Sequence, residues 1–94
     1  MKTLIVEDDF TSRLLLQEML KNYGPTHIAT DGTEAVEAVR QAIQSGERYD
    51  LICLDIMMSP MDGQTALKKI RELEEQAQIP PKQTAIIIMT TALG

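Results

Sequence analysis

The stretch Leu4-Ile5-Val6-Glu7-Asp8-Asp9 runs apolar for three residues and then stops on acid. Leu51-Ile52-Cys53-Leu54-Asp55 repeats the arrangement, with an apolar run closed by an aspartate. Short runs that are apolar throughout, rather than alternating, suit strands covered on both faces, as in parallel sheets. If both runs lie in one parallel sheet, Asp8, Asp9 and Asp55 converge at one edge. Crowded carboxylates repel one another unless a cation or a proton sits among them. The pattern therefore points to a divalent metal and a reactive aspartate. Glu7 reads either as a further acid at that edge or as a solvent-facing flank. Asp9 or Thr11 can also cap a helix that follows the first run.

Outward from these two runs, the chain alternates. Thr3–Val6 is the first strand. Leu14, Leu15, Met19 and Leu20 are apolar at helical spacing, and Gly24-Pro25 ends that segment. Thr26–Thr30 is a weak second strand near an edge. Asp31-Gly32 is a turn, and the next amphipathic helix carries Ala35, Val36, Ala38, Val39, Ala42 and Ile43, ending before Ser45-Gly46. Tyr49–Leu54 is a third strand, and Met58–Gly63 is a loop. A third helix runs from Gln64 to about Gln76. Ala66, Leu67, Ile70 and Leu73 form its apolar face, and Lys68, Lys69, Arg71, Glu72, Glu74 and Glu75 its solvated face. Ile79-Pro80-Pro81 breaks it, and Ala85–Met89 is a fourth buried strand. The order βαβαβαβ predicts an α/β fold, a doubly wound parallel sheet with right-handed crossovers. Such sheets bind ligands at the carboxyl ends of their strands, where Asp8, Asp9, Asp55 and Thr91 fall.

Bulk properties narrow the function. Ninety-four residues make one small domain spanning 1–94, and a hydrophobic fraction of 44% is enough for a core. A net charge of −5 argues against direct contact with nucleic acid or an anionic membrane. Cys53 is the only cysteine and sits inside an apolar run, so it reads as a small buried hydrophobe, with no intrachain disulfide. The apolar N-terminal residues are too few for a signal peptide or a membrane span, and a cytoplasmic location is expected. His27, the only histidine, reads as an ordinary strand residue, and Met57, Met58, Met61 and Met89 as core or loop filling. The sequence has no glycine-rich phosphate loop and no credible Ser/His/Asp constellation.

The motifs VEDD (6–9), LICLDIMM (51–58) with MDG (61–63), and IIIMTTA (86–92) together resemble the receiver domain of bacterial two-component response regulators, the flavodoxin-like fold of CheY-type proteins. The resemblance runs from about Lys2 to Gly94. It implies that Asp55 is the phosphoacceptor, forming an aspartyl-phosphate. It implies Mg²⁺ as cofactor, with Asp9 as a direct ligand, Asp8 through water, and Asp55 and the Met57 backbone carbonyl completing the set. Thr91, which precedes the small residue Ala92, is the switch hydroxyl it implies, with Thr90 as competitor. The implied partners are a histidine kinase or phosphotransfer protein upstream and a protein target in trans downstream. It implies a signalling module rather than an enzyme.

Against the family pattern, the chain lacks a fifth strand, that strand's terminal lysine, an aromatic switch residue and a last helix. Ser59 stands where the family usually has proline, and Pro60 follows. The fourth strand then becomes an apolar edge, which invites self-association. A second reading is thus a phosphorylation-independent interaction or dimerisation module of the same ancestry. A small aspartate-nucleophile phosphatase of haloacid-dehalogenase type is disfavoured, because such enzymes place an acid two residues after the nucleophile, where this chain has Met57.

Overall fold

The computed structural model describes residues 1–56, 58 and 61–90. The elements are β1 (Thr3–Val6), α1 (Phe10–Leu20), β2 (Thr26–Ala29), α2 (Gly32–Ser45), β3 (Leu51–Asp55), α3 (Gly63–Gln76) and β4 (Ile86–Thr90), with single 3₁₀ turns at Lys21–Tyr23 and Pro81–Gln83. Among the described residues the strands form one sheet in the order β2-β1-β3-β4, every pair parallel. The expected doubly wound, flavodoxin-like architecture is what is found. Each helix begins on an aspartate whose side chain accepts a backbone N–H three residues on: Asp9 from Ser12, Asp31 from Glu34 and Asp62 from Thr65. Such caps satisfy donors that the first helical turn leaves unpaired.

Strand alternation divides the apolar side chains between the two faces of the sheet. Leu4, Val6, Ile52 and Leu54 join Ala35, Val36 and Val39 of α2 and Ala66 and Ile70 of α3 in one core, with Met58 and Ala85. The other face carries Ile5, Leu51 and Cys53, all buried, and α1 packs there against β1 and β2. The apolar positions of α1 are not absorbed by this packing. Phe10, Leu14, Leu15 and Met19 are all about half exposed or more, and Ser12 is the one buried residue of the helix. Among the described residues no second α-helix shares that face, so only the underside of α1 is covered. On β4, the last strand of the sheet among the described residues, Ile86 is 66% and Ile88 49% exposed.

Several boundaries and one side chain differ from the sequence reading: β2 ends at Ala29 rather than Thr30, β3 and β4 each end one residue later, at Asp55 and Thr90, and α3 starts at Gly63 rather than Gln64. β3 starts at Leu51 rather than Tyr49, where its pairing with β1 and β4 begins, and the Tyr49 ring meets His27 edge-on, its hydroxyl 2.8 Å from Nδ1. β4 starts at Ile86 rather than Ala85, because the Ala85 N–H leaves the ladder and donates to the Glu74 carboxylate at 2.8 Å. Glu74 is consequently not solvated but 5% exposed. Its other oxygen accepts from the Arg71 guanidinium at 2.7 Å, which also donates to the Ala85 carbonyl at 2.9 Å.

Candidate functional site

β1 and β3 are neighbours in register, Val6 beside Leu54. That register carries the residues just past Val6 alongside Asp55, the last residue of β3. The acids brought together are Glu7, Asp8 and Asp55, whose carboxylate oxygens lie within 4.8 Å of one another. Glu7 and Asp55 are each 1% exposed, whereas Asp8 opens to solvent. Burial pushes the Glu7 carboxyl above its ordinary range. The Asp9 N–H, donating to it at 3.0 Å, opposes the shift, and the neighbouring Asp55 and Asp8 charges add to it.

Asp9, expected as a direct ligand, stands outside this cluster. Its carboxylate accepts the Ser12 N–H at 2.8 Å as the N-cap of α1, and that bond holds it below the ordinary carboxylate range. Helix phase accounts for the placement: α1 starts at Phe10, so the residue before it is the cap, and Glu7 lies with Asp8 beside Asp55. Met57 and Thr91 lie outside the described residues. Thr90, the competitor hydroxyl, pairs with Asp55 in the β3–β4 register, and its carbonyl accepts the Ile56 N–H at 2.9 Å.

The loop beyond β3 returns tightly on the strand end. The Gly63 N–H donates to the Ile56 carbonyl at 3.0 Å, and a Cβ on Gly63 would meet the Asp55 carbonyl oxygen at 2.3 Å. Only glycine permits that approach. The sequence showed MDG as a loop motif, but not that its glycine lies against the backbone of the buried aspartate.

The donor set suits a hard divalent cation. All three groups are carboxylates, two are buried, and their mutual repulsion is what a cation would relieve. The arrangement gives a buried carboxylate at a strand end, flanked by one buried and one exposed acid. It is suited to nucleophilic attack by Asp55 on an electrophile whose charge a metal neutralises. No helix among the described residues is long and apolar enough to cross a membrane.

Comparison with known proteins agrees with the geometry. The family described as response regulator receiver domain matches residues 3–93. Chemotaxis protein CheY of Bacillus subtilis is 33% identical over 98 residues, covering 99% of this chain and 68% of that protein. Hybrid signal transduction histidine kinase B of Dictyostelium discoideum is 38% identical over 95 residues, covering 98% of this chain but 5% of the kinase. The crystal structure of the receiver domain of the histidine kinase CKI1 from Arabidopsis thaliana, complexed with Mg²⁺ and BeF₃⁻, superimposes with a TM-score of 0.83 at 27% identity, covering 99% of this chain and 66% of that one. The chain thus spans about two thirds of some relatives and a small part of others. With the acids of β1 and β3 meeting at the carboxyl edge of a 2-1-3-4 parallel sheet, the match places this chain among the response regulator receiver domains of two-component signalling.

Proposed function

We propose that the chain is a phosphoacceptor module of a phosphorelay, with Asp55 as the residue that takes the phosphoryl group. The convergence of Glu7 and Asp8 on the buried Asp55 supports this most directly. An Asp55 carboxylate oxygen attacks phosphorus, the P–N bond to the donor's histidine breaks, and the imidazole leaves, taking up a proton. The product is an acyl phosphate. Glu7, Asp8 and Asp55 would hold Mg²⁺, with the Met57 carbonyl as the further ligand that the family pattern implies. Bound there, the ion supplies charge neutralisation for an anionic donor. β1 and β3 fix the nucleophile by their ladder, and the Asp9 N–H orients Glu7. Thr91 is the hydroxyl that follows the added charge, and the changed surface is read by another protein. The module is cytoplasmic and acts as an acceptor, not as a turnover catalyst.

The test is an intact mass after incubation with Mg²⁺ and phosphoramidate. One phosphoryl adduct is expected, absent after Asp55→Asn and absent without metal. A folded wild-type chain that gains no mass would overturn the proposal.

A second reading rests on β4. Its Ile86-Ile87-Ile88-Met89-Thr90 sequence has neither charge nor proline to guard an edge, and Ile86 and Ile88 stand exposed. In that reading two copies pair through β4 whether or not Asp55 is phosphorylated. Light scattering across a concentration series is expected to show a dimer that Asp55→Asn leaves intact and Ile88→Lys dissociates. A monomer at every concentration would remove this reading.

A further inference from the structure

The first residue of α2, Gly32, is buried against the segment that leads into α3. A Cβ at Gly32 would lie 2.8 Å from the Met61 carbonyl oxygen, 2.9 Å from the Met61 Cβ and 3.0 Å from its Cγ. Two residues after Met61, Gly63 makes the still closer approach to the Asp55 carbonyl already described. Met61, Asp62 and Gly63 therefore form a short wedge, with the first turn of α2 on one side and the carboxyl end of β3 on the other. Asp62 stiffens the wedge by capping α3 through the Thr65 N–H at 2.7 Å. Neither side of the wedge has room for a methyl group.

We infer that Gly32 is a positioning residue for Asp55: by letting α2 seat directly on Met61, it sets how the wedge presses on the strand end that carries the phosphoacceptor. A side chain at Gly32 must push Met61 away by several tenths of an ångström, and the displacement passes through Gly63 to the backbone of Asp55 and Ile56. Displacement on this scale is enough to slow an in-line attack; a misplacement of about 1 Å can lower a rate roughly a hundredfold. The rate readout rests on the phosphoacceptor reading, whereas the geometry does not.

The experiment compares wild type, Gly32→Ala, Met61→Gly and Ala42→Gly at a temperature where circular dichroism shows each to be folded. Ala42→Gly weakens the same helix near its far end and controls for stability alone. Adduct formation is followed against phosphoramidate concentration with Mg²⁺, and the Ile56 and Gly63 amide signals are recorded in metal-free protein. Gly32→Ala is expected to lower the maximal rate about tenfold or more while the half-saturating donor concentration stays within about twofold. Both amide signals are expected to move. Met61→Gly, which removes the side chain of the wedge, is expected to act in the same direction and carries the test should Gly32→Ala fail to fold. Ala42→Gly is expected to change neither readout. Unmoved amides and an unchanged maximal rate in a folded Gly32→Ala would overturn the inference, as would equal effects from Ala42→Gly. If wild type itself gains no phosphoryl group, the phosphoacceptor reading fails, and the amide signals alone decide the positioning role.

Discussion

Glu74→Ala is expected to lower the stability of the domain by about 2–3 kcal/mol, the loss that follows from stranding buried polar groups. The side chain is 5% exposed and ties two elements together. One oxygen accepts the Ala85 N–H at 2.8 Å and the other the Arg71 guanidinium at 2.7 Å, while Arg71 reaches the Ala85 carbonyl at 2.9 Å. Truncation leaves the Ala85 N–H buried without its acceptor. Arg71 loses its ion pair but is 41% exposed and can turn to water, which keeps the loss below that of a fully buried pair. For a domain of this size, the change corresponds to a fall in Tm of roughly 10–20 °C. Glu74→Gln keeps an oxygen for one of the two donors and gives up the charge, so about 1 kcal/mol is expected. Thermal or urea unfolding followed by circular dichroism measures both variants. A loss under about 0.5 kcal/mol for Glu74→Ala, the range of an ordinary surface change, would show that the tie is not structural.

Glu74 also shows where sequence reasoning stops. Helical periodicity says which residues share a face of α3, and Ala66, Leu67, Ile70 and Leu73 do turn toward the core. It does not say that the chain entering β4 crosses the flank of that helix and buries a charged residue there. β1 and β3 were legible for a simpler reason: runs that are apolar nearly throughout have few other homes, and an acid at the end of each marks where the sheet meets solvent. α1 was legible as a helix but not in its burial, since the exposure of Leu14 and Met19 depends on which elements share that face. The site was half legible. Asp8 and Asp55 follow from the strand ends. Which of the acids lies beside Asp55 and which caps α1 turns on a single residue of helix phase, because three consecutive acids after a strand look alike until the start of the helix is fixed at Phe10. The close approaches of Gly32 to Met61 and Gly63 to Asp55 join segments that no local pattern relates.

The acid cluster sets a pH dependence that Mg²⁺ is expected to reverse. Burial raises the Glu7 carboxyl above its ordinary value in the folded chain, with the Asp55 and Asp8 charges adding to the shift. Between the ordinary and the raised value the folded protein holds a proton that the unfolded chain has released. The Glu7 contribution to metal-free stability is therefore fully present below the ordinary Glu range and is lost as pH rises through the raised Glu7 value. Asp9 and Asp62 work in the opposite sense. Hydrogen bonds from Ser12 and Thr65 lower their values, so the stability they add is present above the ordinary Asp range and lost as pH falls through the lowered values. Their combination predicts a metal-free maximum in mildly acidic solution rather than at neutrality. Mg²⁺ needs ionised ligands, so it stabilises the protein only above the Glu7 window. At about a hundred times its dissociation constant the gain is about 2.7 kcal/mol, again a shift of roughly 10–20 °C in Tm. Glu7→Gln removes the charge but keeps the shape. It is expected to raise metal-free stability at neutral pH, flatten the decline and weaken the Mg²⁺ response. Asp9→Asn, by contrast, keeps a capping oxygen for the Ser12 N–H and is expected to leave the Mg²⁺ response nearly unchanged. Thermal melts at pH 5 and pH 8, with and without Mg²⁺, separate the two acids. A Mg²⁺ response lost in Asp9→Asn but kept in Glu7→Gln would assign the ligand to Asp9 and leave Glu7 as a buried flank.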